Sequence, residues 1–295
     1  MIAEDNKGEH HDKPFPKGRM LSMTRDMART SNRKNCKIIL FLISILTSLP
    51  GGGLGFAQTS DSLIVRTLRQ EDIAFSNDNS VTLLMSGQEK FDDMFKAIRQ
   101  AKSSIHLEDF NFRNDSIASL LFDLLREKRK EGLEVRALFD GFGNDSNNQP
   151  LKKHHLRSLR ADSIEVAEYS PIRFPWVNHI YGRDHRKIVV IDGKIAYTGG
   201  MNVADYYIKG TEQVGEWRDM HCRIEGRAVN GLQNIFLRIW NRTTGQHVQG
   251  EKYYRGAIPT VFHDLKPDTT WSKGHKMIGI INREPHLTPK IMRTF

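Results

Sequence analysis

Short runs of β-favouring residues alternate with amphipathic stretches through the middle of the chain, and this alternation limits the fold more than any other feature. Ser80–Met85, Ser104–Phe110 and Leu133–Phe139 are predicted strands. Glu89–Lys102 and Ser116–Lys130, which lie between them, carry their apolar residues on one helical face. Strands that alternate with helices predict an α/β fold. We expect a mixed, mostly parallel sheet with helices on both faces.

The alternation continues beyond these elements. Leu151–Arg160 is a predicted helix and Ile164–Glu168 a predicted strand. Arg186–Ile191 and Lys194–Thr198 flank an Asp-Gly pair, which is typical of a tight hairpin. The remaining predicted elements are a strand at Trp217–Ile224, a helix at Val229–Trp240, a strand at Met277–Ile281 and the start of a helix at Thr288–Phe295.

Composition allows an ordinary globular protein and narrows the partners only slightly. Of the 295 residues, 38% are hydrophobic and 27% charged, which excludes a collagen, a coiled coil and a wholly disordered chain. The net charge of +9 suits an anionic partner, either lipid headgroups or nucleic acid. Cys36 and Cys222 are the only cysteines, and no Cys/His spacing predicts a structural metal.

The N-terminal region has the pattern of a targeting segment. Residues 1–37 are polar and basic, and we expect a disordered leader there. Residues 38–49 are twelve almost entirely apolar residues, and Gly55-Phe56-Ala57 follows as a small-x-small site, so 38–57 is a predicted signal peptide. An uncleaved anchor and a buried helix stay open as alternatives, although twelve residues are few for a hydrocarbon layer of ~30 Å.

The stretch that carries chemistry begins at His185. Lys187 lies two residues further along a predicted strand, so both side chains project from the same face. Gly199-Gly200-Met201-Asn202 follows the hairpin, and glycines let backbone N–H groups approach a ligand closely. Imidazole, ammonium, amide and bare backbone together suit the attack on a phosphodiester and the stabilisation of its developing charge.

These residues form the pattern H-x-K-x4-D-x6-G-G-x-N, which resembles the signature of the phospholipase D superfamily. Three further segments resemble the bacterial cardiolipin synthases of that superfamily, and the resemblance covers roughly residues 80–245. The segments are Ile105–Glu108, Glu134–Gly141 and Trp217–His221. The resemblance implies a phospholipase D-like sandwich, with 58–79 as a lead-in and 80–245 as the catalytic domain.

The resemblance also implies roles for individual residues. His185 would be the nucleophile that forms a phosphohistidine, while Lys187 and Asn202 would hold the phosphate, with Gly199 and Gly200 beside it. No metal or cofactor is implied.

Two acidic residues receive roles from the same resemblance. Asp219 is the best match for the acceptor that orients the imidazole, although it could instead be a solvent-facing partner of Arg218. Asp192 belongs to the signature and lies in the turn, so we expect it to stabilise the hairpin more than to touch substrate.

Glu108 and His221 complete the candidate set as substrate-binding residues. Glu108 ends a predicted inner strand, where a plain edge carboxylate is an equal alternative. His221 alternates with Asp219, which puts both on one face, and it is either a proton carrier or a hydrogen-bonded core histidine.

One feature departs from the family. Cardiolipin synthases of this type carry two such motifs, whereas no second H-x-K-x4-D follows Asn202 in this sequence. Either two copies of the chain build one site, or the chain is the first half of a longer product, with 246–295 as a linker and the start of the second half.

The expected function is that of a phosphatidyltransferase which makes cardiolipin from phosphatidylglycerol. The expected partners are anionic phospholipids and a membrane surface on the exported side of a bacterial cell membrane, rather than nucleic acid. A phospholipase or nuclease that uses water as acceptor, and a non-catalytic binding half, stay open as alternatives.

Overall fold

The computed structural model describes residues 63–70, 73, 75–172, 182–212, 215–256 and 276–282. The chain divides into two compact units, residues 1–63 and 64–295, and all the described residues except residue 63 belong to the second. The predicted leader, the predicted signal peptide, part of the lead-in and the predicted C-terminal helix lie outside the described residues. Among the residues described, no helix is both long and apolar enough to span a bilayer.

Eight strands of the described residues form one sheet, whose order is β4-β3-β2-β5-β6-β7-β1-β8. Their bounds are β1 Phe75–Leu84, β2 Ser104–Asp109, β3 Glu134–Asp140, β4 Glu165–Tyr169, β5 Ile188–Ile191, β6 Ile195–Gly199, β7 His221–Glu225 and β8 Lys276–Gly279. The predicted α/β class, the mixed sheet and the helices on both faces are confirmed.

The expectation of a mostly parallel sheet was wrong. Only β2–β3 and β3–β4 pair in parallel, whereas the other five neighbouring pairs are antiparallel. Parallel neighbours need a crossover connection, and the helices Ser116–Lys130, Gly141–Asp145 and Lys153–Ala161 provide the crossovers from β2 to β3 and from β3 to β4. A tight hairpin joins β5 to β6, so these two strands must run in opposite directions.

After the helical residues 63–70, six α-helices accompany the sheet in the described residues: α1 Gly87–Gln100, α2 Ser116–Lys130, α3 Gly141–Asp145, α4 Lys153–Ala161, α5 Tyr206–Lys209 and α6 Ala228–Thr244. Side-chain caps set where several begin. Ser86 accepts from Glu89 N at 3.2 Å at the start of α1, and Asp115 accepts from Ala118 N at 3.1 Å in α2. The short helices α3 and α5 occupy stretches for which the sequence predicted no helix.

Helices cover the sheet on two faces, so its central strands are buried on both sides. Along β5, Val189 and Ile191 join the apolar cluster that also contains the inner faces of α1 and α2. Ile188 and Val190, which alternate with them, pack with α6 on the opposite face. This alternation gives the two faces of each central strand different surroundings, and the candidate site residues divide between them.

Two strands begin four or five residues away from their predicted starts, whereas the other strands differ by one or two residues at one or both ends. β1 begins at Phe75, inside the stretch expected to be an irregular lead-in, because its first residues pair with β8. Residues 63–70 of that lead-in are helical. β7 begins at His221 instead of Trp217, since ladder pairing with β1 and β6 starts only there.

Candidate active site

Four neighbouring strands bring their ends together at one end of the sheet. β2 and β5 are antiparallel with Glu108 opposite Ile188, so the residues after β2 meet those before β5. Ile188 also pairs with Thr198 near the end of β6, and Gly199 pairs with His221 at the start of β7. The segments that carry most of the predicted site residues therefore converge, although they are far apart in the sequence.

His185 and Lys187 meet directly, as their spacing predicts. The ammonium Nζ of Lys187 lies 3.1 Å from His185 Nδ1 and donates to the backbone oxygen of His185 at 2.8 Å. The ring of Phe110, from the end of β2, packs on the imidazole with a centroid separation of 4.4 Å. The same ring lies 5.2 Å from Lys187 Nζ, so it holds both groups against the strand.

The surroundings of His185 favour a neutral imidazole. Burial lowers its pKa below 6.5, and the positive charge of Lys187 lowers it further, against the opposing charges of Asp140 and Asp184. At neutral pH most of the rings therefore keep a nitrogen lone pair, which a nucleophile requires.

A second lysine, Lys90 of α1, lies behind the loop that carries Asn202. It is 1% exposed, and its ammonium donates to the backbone oxygens of Met201 at 2.7 Å and Asn202 at 3.1 Å. Burial lowers the pKa of Lys90 to about 8, so most of the ammonium groups stay charged at pH 7. A buried charge is tolerated only with such partners, and here they fix the backbone beside the predicted phosphate-binding residue.

Asp109, the last residue of β2, accompanies the two lysines. It is 4% exposed and accepts a backbone hydrogen bond from Asn111 N at 3.3 Å. Burial raises the pKa of Asp109 to about 7, although the positive charges of Lys90 and Lys187 oppose this shift. The site thus contains a carboxyl group that titrates near neutral pH.

Three buried polar atoms in this region have no hydrogen-bond partner among the described residues. They are Asn202 Oδ1, Asn111 Oδ1 and His221 Nδ1, and each belongs to a side chain at most 8% exposed. A parallel bridge between Phe112 and Val203 brings the segments that carry Asn111 and Asn202 side by side. Buried polar atoms without partners are costly in a folded protein, so this group is suited to receive a polar ligand.

His221 is held neutral by its position. Burial lowers its pKa to about 2, and the charges of Lys90 and Lys187 act in the same direction. The imidazole can therefore accept or donate a hydrogen bond in this region, but it carries no charge at neutral pH.

Gly199 and Gly200 are needed for close packing against the start of β7. A Cβ atom on Gly199 would lie 2.5 Å from the backbone oxygen of Met220, and one on Gly200 would lie 2.2 Å from Asp219 Oδ1. Glycine at both positions lets the loop that carries Asn202 approach the start of β7, and the backbone oxygen of Asn202 in this loop contacts Lys90.

The charge of Asp219 acts on the two lysines of the site. The Asp219 carboxylate accepts from Met220 N at 2.7 Å, and its charge favours the charged forms of Lys90 and Lys187. Within the described part of the chain, no hydrogen bond joins Asp219 to His185. The orienting role of Asp219 therefore stays a prediction.

Glu108 is not brought to this group. It pairs with Ile188, which faces α6, and it forms an ion pair with Arg186 at 2.6 Å. Arg186 also donates to Asp184 from Nε at 2.9 Å. On the face of the sheet that packs against α6, Glu108 thus connects the end of β2 to Arg186, which precedes β5. Asp109, the next residue, lies on the opposite face.

Asp192 lies at the opposite end of β5, seven residues from His185 and so roughly 20 Å away along an extended strand. Its carboxylate accepts from the backbone N–H groups of Lys102 at 2.8 Å, Ser103 at 2.7 Å and Ser104 at 3.0 Å. Asp192 and Gly193 both have positive φ, 53° and 62°, as the two central residues of a type I′ hairpin turn do. The expected role in the turn is supported.

The sequence interpretation overlooked Lys90, Asp109, Phe110 and Asn111. A signal existed for Lys90, because it lies four residues before Met94 on the apolar stripe of a predicted helix. A signal also existed for Asp109, which alternates with Ile105 and Leu107 on a buried strand face. Among the described residues, no cluster of three or more His, Cys, Asp or Glu side chains is arranged to bind a metal.

Comparisons with known proteins agree on one family. Residues 94–240 match the family described as cardiolipin synthase, PLD-like domain. A cardiolipin synthase of Halalkalibacterium halodurans is 35% identical over 222 residues, which are 72% of this chain and 43% of the relative. Cardiolipin synthase 2 of Staphylococcus epidermidis is 36% identical over 219 residues, 71% and 44% of the two chains.

Solved structures are more distant. A phosphatidylserine synthase of Haemophilus influenzae aligns with a TM-score of 0.46 at 18% identity, over 58% of this chain and 39% of that one. The chain spans less than half the length of the curated relatives it matches.

Proposed function

Since the chain belongs to the phospholipase D-like family of cardiolipin synthases, we propose that it transfers a phosphatidyl group from phosphatidylglycerol to the hydroxyl of a second lipid. One observation carries this proposal: a neutral imidazole, His185, lies 3.1 Å from the ammonium of Lys187. A candidate nucleophile and a candidate phosphate-binding cation thus lie next to each other, as phosphoryl transfer through a covalent intermediate requires.

In the proposed first step, a nitrogen of His185 forms a bond to phosphorus as the bond from phosphorus to the glycerol oxygen breaks. The leaving glycerol takes up a proton from a general acid. In the second step, the hydroxyl of another phosphatidylglycerol attacks phosphorus as the bond from phosphorus to the His185 nitrogen breaks, and the hydroxyl proton returns to the deprotonated general acid. The products are cardiolipin and glycerol, and the imidazole is free again.

Lys187 has two successive partners in this scheme. Without ligand, its ammonium faces Nδ1 and the backbone oxygen of His185. A phosphate group attracts an ammonium more strongly than a neutral ring nitrogen does, because it carries a negative charge. Binding of the phosphodiester would therefore draw Lys187 to a phosphoryl oxygen and leave the imidazole lone pair available.

The general acid of the first step is proposed to be a histidine from outside this copy of the chain. The family resemblance implies two motifs in each complete site, and this sequence contains one. A second copy related by a two-fold axis would supply the other histidine, as would a partner half.

The test is to incubate the 295-residue chain with phosphatidylglycerol vesicles and to follow lipid products by mass spectrometry. We expect cardiolipin from the wild type and none from His185→Ala. His154→Ala is the matched control, because His154 is an exposed histidine on α4 and should keep wild-type activity.

Each product decides between the alternatives. Phosphatidic acid without cardiolipin would show that water is the acceptor and that the chain is a hydrolase. No product from the wild type would contradict a site made by copies of this chain alone. Product from His185→Ala would contradict the assignment of the nucleophile.

The proposed place of action is a membrane surface on the exported side of the cell. It is supported by the apolar residues 38–49 and by exposed apolar side chains on the segment that enters β7, Trp217 at 39% and Met220 at 54%. Protease digestion of spheroplasts should degrade the chain, and its protection until the membrane is lysed would contradict the exported location.

A further inference from the structure

A buried carboxyl group adjoins the proposed phosphate site, and the reaction scheme does not use it. Asp109 lies on the same face of β2 as Ile105 and Leu107. Its negative charge raises the pKa of Lys90 on α1 and of Lys187, which immediately precedes β5. The other charged or titratable groups around the two lysines are Asp219 and His221 from the β7 side, and Asp184 and Asp140, whose charges act on Lys187. His185 lies beside Lys187, and Tyr207 of α5 also lies within reach of the Asp109 charge.

Asp109 is weakly held for a buried carboxylate. In the described part of the chain no ion pair within 4.0 Å joins it to a lysine or arginine; its hydrogen bonds come from the backbone N–H groups of Phe110 and Asn111, and the one from Asn111 is long at 3.3 Å. Lys90 meanwhile donates to two backbone oxygens, and Lys187 to the backbone oxygen of His185. The negative charge of Asp109 thus offsets the positive charges of Lys90 and Lys187 without a direct ion pair.

The charge balance changes when a phosphate arrives. Without ligand, the ammonium groups of Lys90 and Lys187 interact with the carboxylates of Asp109 and Asp219 in poorly solvated surroundings, and Lys187 interacts also with those of Asp184 and Asp140. A bound phosphate adds at least one negative charge beside the same lysines, and like charges close together raise each other's proton affinity. Asp109 is the group that can relieve this repulsion, because burial has already brought its pKa to about 7.

We propose that Asp109 is an internal counter-anion of the phosphate site, which takes up one proton from solvent when an anionic ligand binds. This inference rests on the proposed function, since it assumes that the phosphate binds beside Lys187. In the bound state the neutral carboxyl can donate a hydrogen bond where its charged form would repel the ligand. By thermodynamic linkage, the ligand binds more tightly as the pH falls through the range in which Asp109 titrates.

The probe for the test is sulfate, a tetrahedral dianion that does not itself titrate near neutral pH. Calorimetric titration of the 295-residue chain at pH 7.5 in buffers of different ionisation enthalpy gives the number of protons taken up per sulfate. We expect a substantial fraction of one proton. His185→Asn should retain this uptake, which separates Asp109 from the nucleophile.

The affinity should follow the same linkage. In the His185→Asn background, sulfate should bind about tenfold more tightly at pH 6 than at pH 8, if it raises the proton affinity of Asp109 about 100-fold. Adding Asp109→Asn should make binding at pH 8 tighter and reduce the pH dependence, because the competing negative charge is absent.

Carbon-13 NMR of aspartate carboxyl groups identifies the titrating residue directly. The Asp109 signal is the one missing from Asp109→Asn or, if that variant does not fold, from Asp109→Glu. Saturating sulfate should move this signal towards its protonated position at pH 7.5. Sulfate binding without that movement would overturn the inference and leave the proposed function intact, whereas no sulfate binding would contradict both.

Discussion

At the scale of single residues, two lysines with different partners define the candidate site. Lys187 is a predicted member of the signature and faces the nucleophile, whereas Lys90 comes from a distant helix and faces the backbone of the Asn202 loop. Under the proposed function, the chain therefore separates the cation that would bind phosphate from the cation that fixes the loop. This separation makes the contribution of each lysine measurable by itself.

Replacing Lys90 by methionine tests the loop-shaping role. The variant keeps the apolar stem but removes the donor to Met201 O and Asn202 O, so Asn202 should lose its fixed position. We expect sulfate binding to weaken roughly 10- to 100-fold, the value of one or two hydrogen bonds from a charged donor. Lys96→Met, at an exposed position of the same helix, is the control for calorimetry. Equal affinities of the two variants would contradict the role of Lys90.

The titration of His185 should report the charge of Lys187. Burial lowers the pKa of His185 and the Lys187 ammonium lowers it further, so the wild-type midpoint should lie below 6.5. Lys187→Met removes the positive charge and should raise the midpoint. Proton NMR of the imidazole, assigned by its absence from His185→Asn, measures both values. A midpoint that is unchanged or lower in Lys187→Met would show that the lysine does not control the imidazole.

At the scale of elements, the motif that begins at His185 includes a residue, Asp192, whose contacts are structural. Asp192 joins the β5–β6 hairpin to the loop between α1 and β2 through three backbone N–H groups and the hydroxyl of Ser103. His185 and Lys187 immediately precede this hairpin, and Asn202 follows it. A contact at the far end of β5 thus sets the register of the strands that hold the site.

Asp192→Asn should reduce stability by about 1–3 kcal/mol, because the acceptor loses its charge and one of its two acceptor oxygens. The hydrogen bonds lower the pKa of Asp192 below 3.8 although burial opposes them, so the stabilisation is present above the unfolded value. It is lost as the pH falls through the folded pKa. Urea midpoints should therefore differ clearly at pH 7 and converge in strong acid. A difference that persists unchanged in acid would contradict an ionised acceptor.

At the scale of the whole molecule, the open question is how one motif forms a complete site. If two copies of the chain supply one histidine each, both must be intact for turnover. If a single copy is sufficient, the histidine of its neighbour is irrelevant. These two arrangements differ in how activity depends on the composition of a mixture.

Mixing wild type with His185→Ala distinguishes them. At a constant total concentration and with exchange of copies, activity from a two-copy site should fall with the square of the wild-type fraction, to one quarter in an equal mixture. The cardiolipin assay measures this, and His154→Ala in place of His185→Ala should leave activity unchanged. A linear fall, to one half, would contradict the shared site.

Much of the local structure could be predicted because its causes are local. The helix at Ser116–Lys130 has its predicted bounds, since its apolar spacing and the Asp115 cap are adjacent in sequence. The hairpin around Asp192-Gly193 was equally predictable, because its turn requires positive φ at two neighbouring residues. The contact between His185 and Lys187 follows from the period of an extended chain.

The sequence by itself determined the class of fold, the family signature and the pairing of nucleophile with cation, since each depends on residues a few positions apart. Only the tertiary structure decided that the sheet is mostly antiparallel, that Lys90 and Asp109 join the site, and that Glu108 points to the opposite face. Strand order and helix docking depend on contacts between segments about a hundred residues apart. The packing of the whole chain selects those contacts, and no periodicity within one segment encodes them.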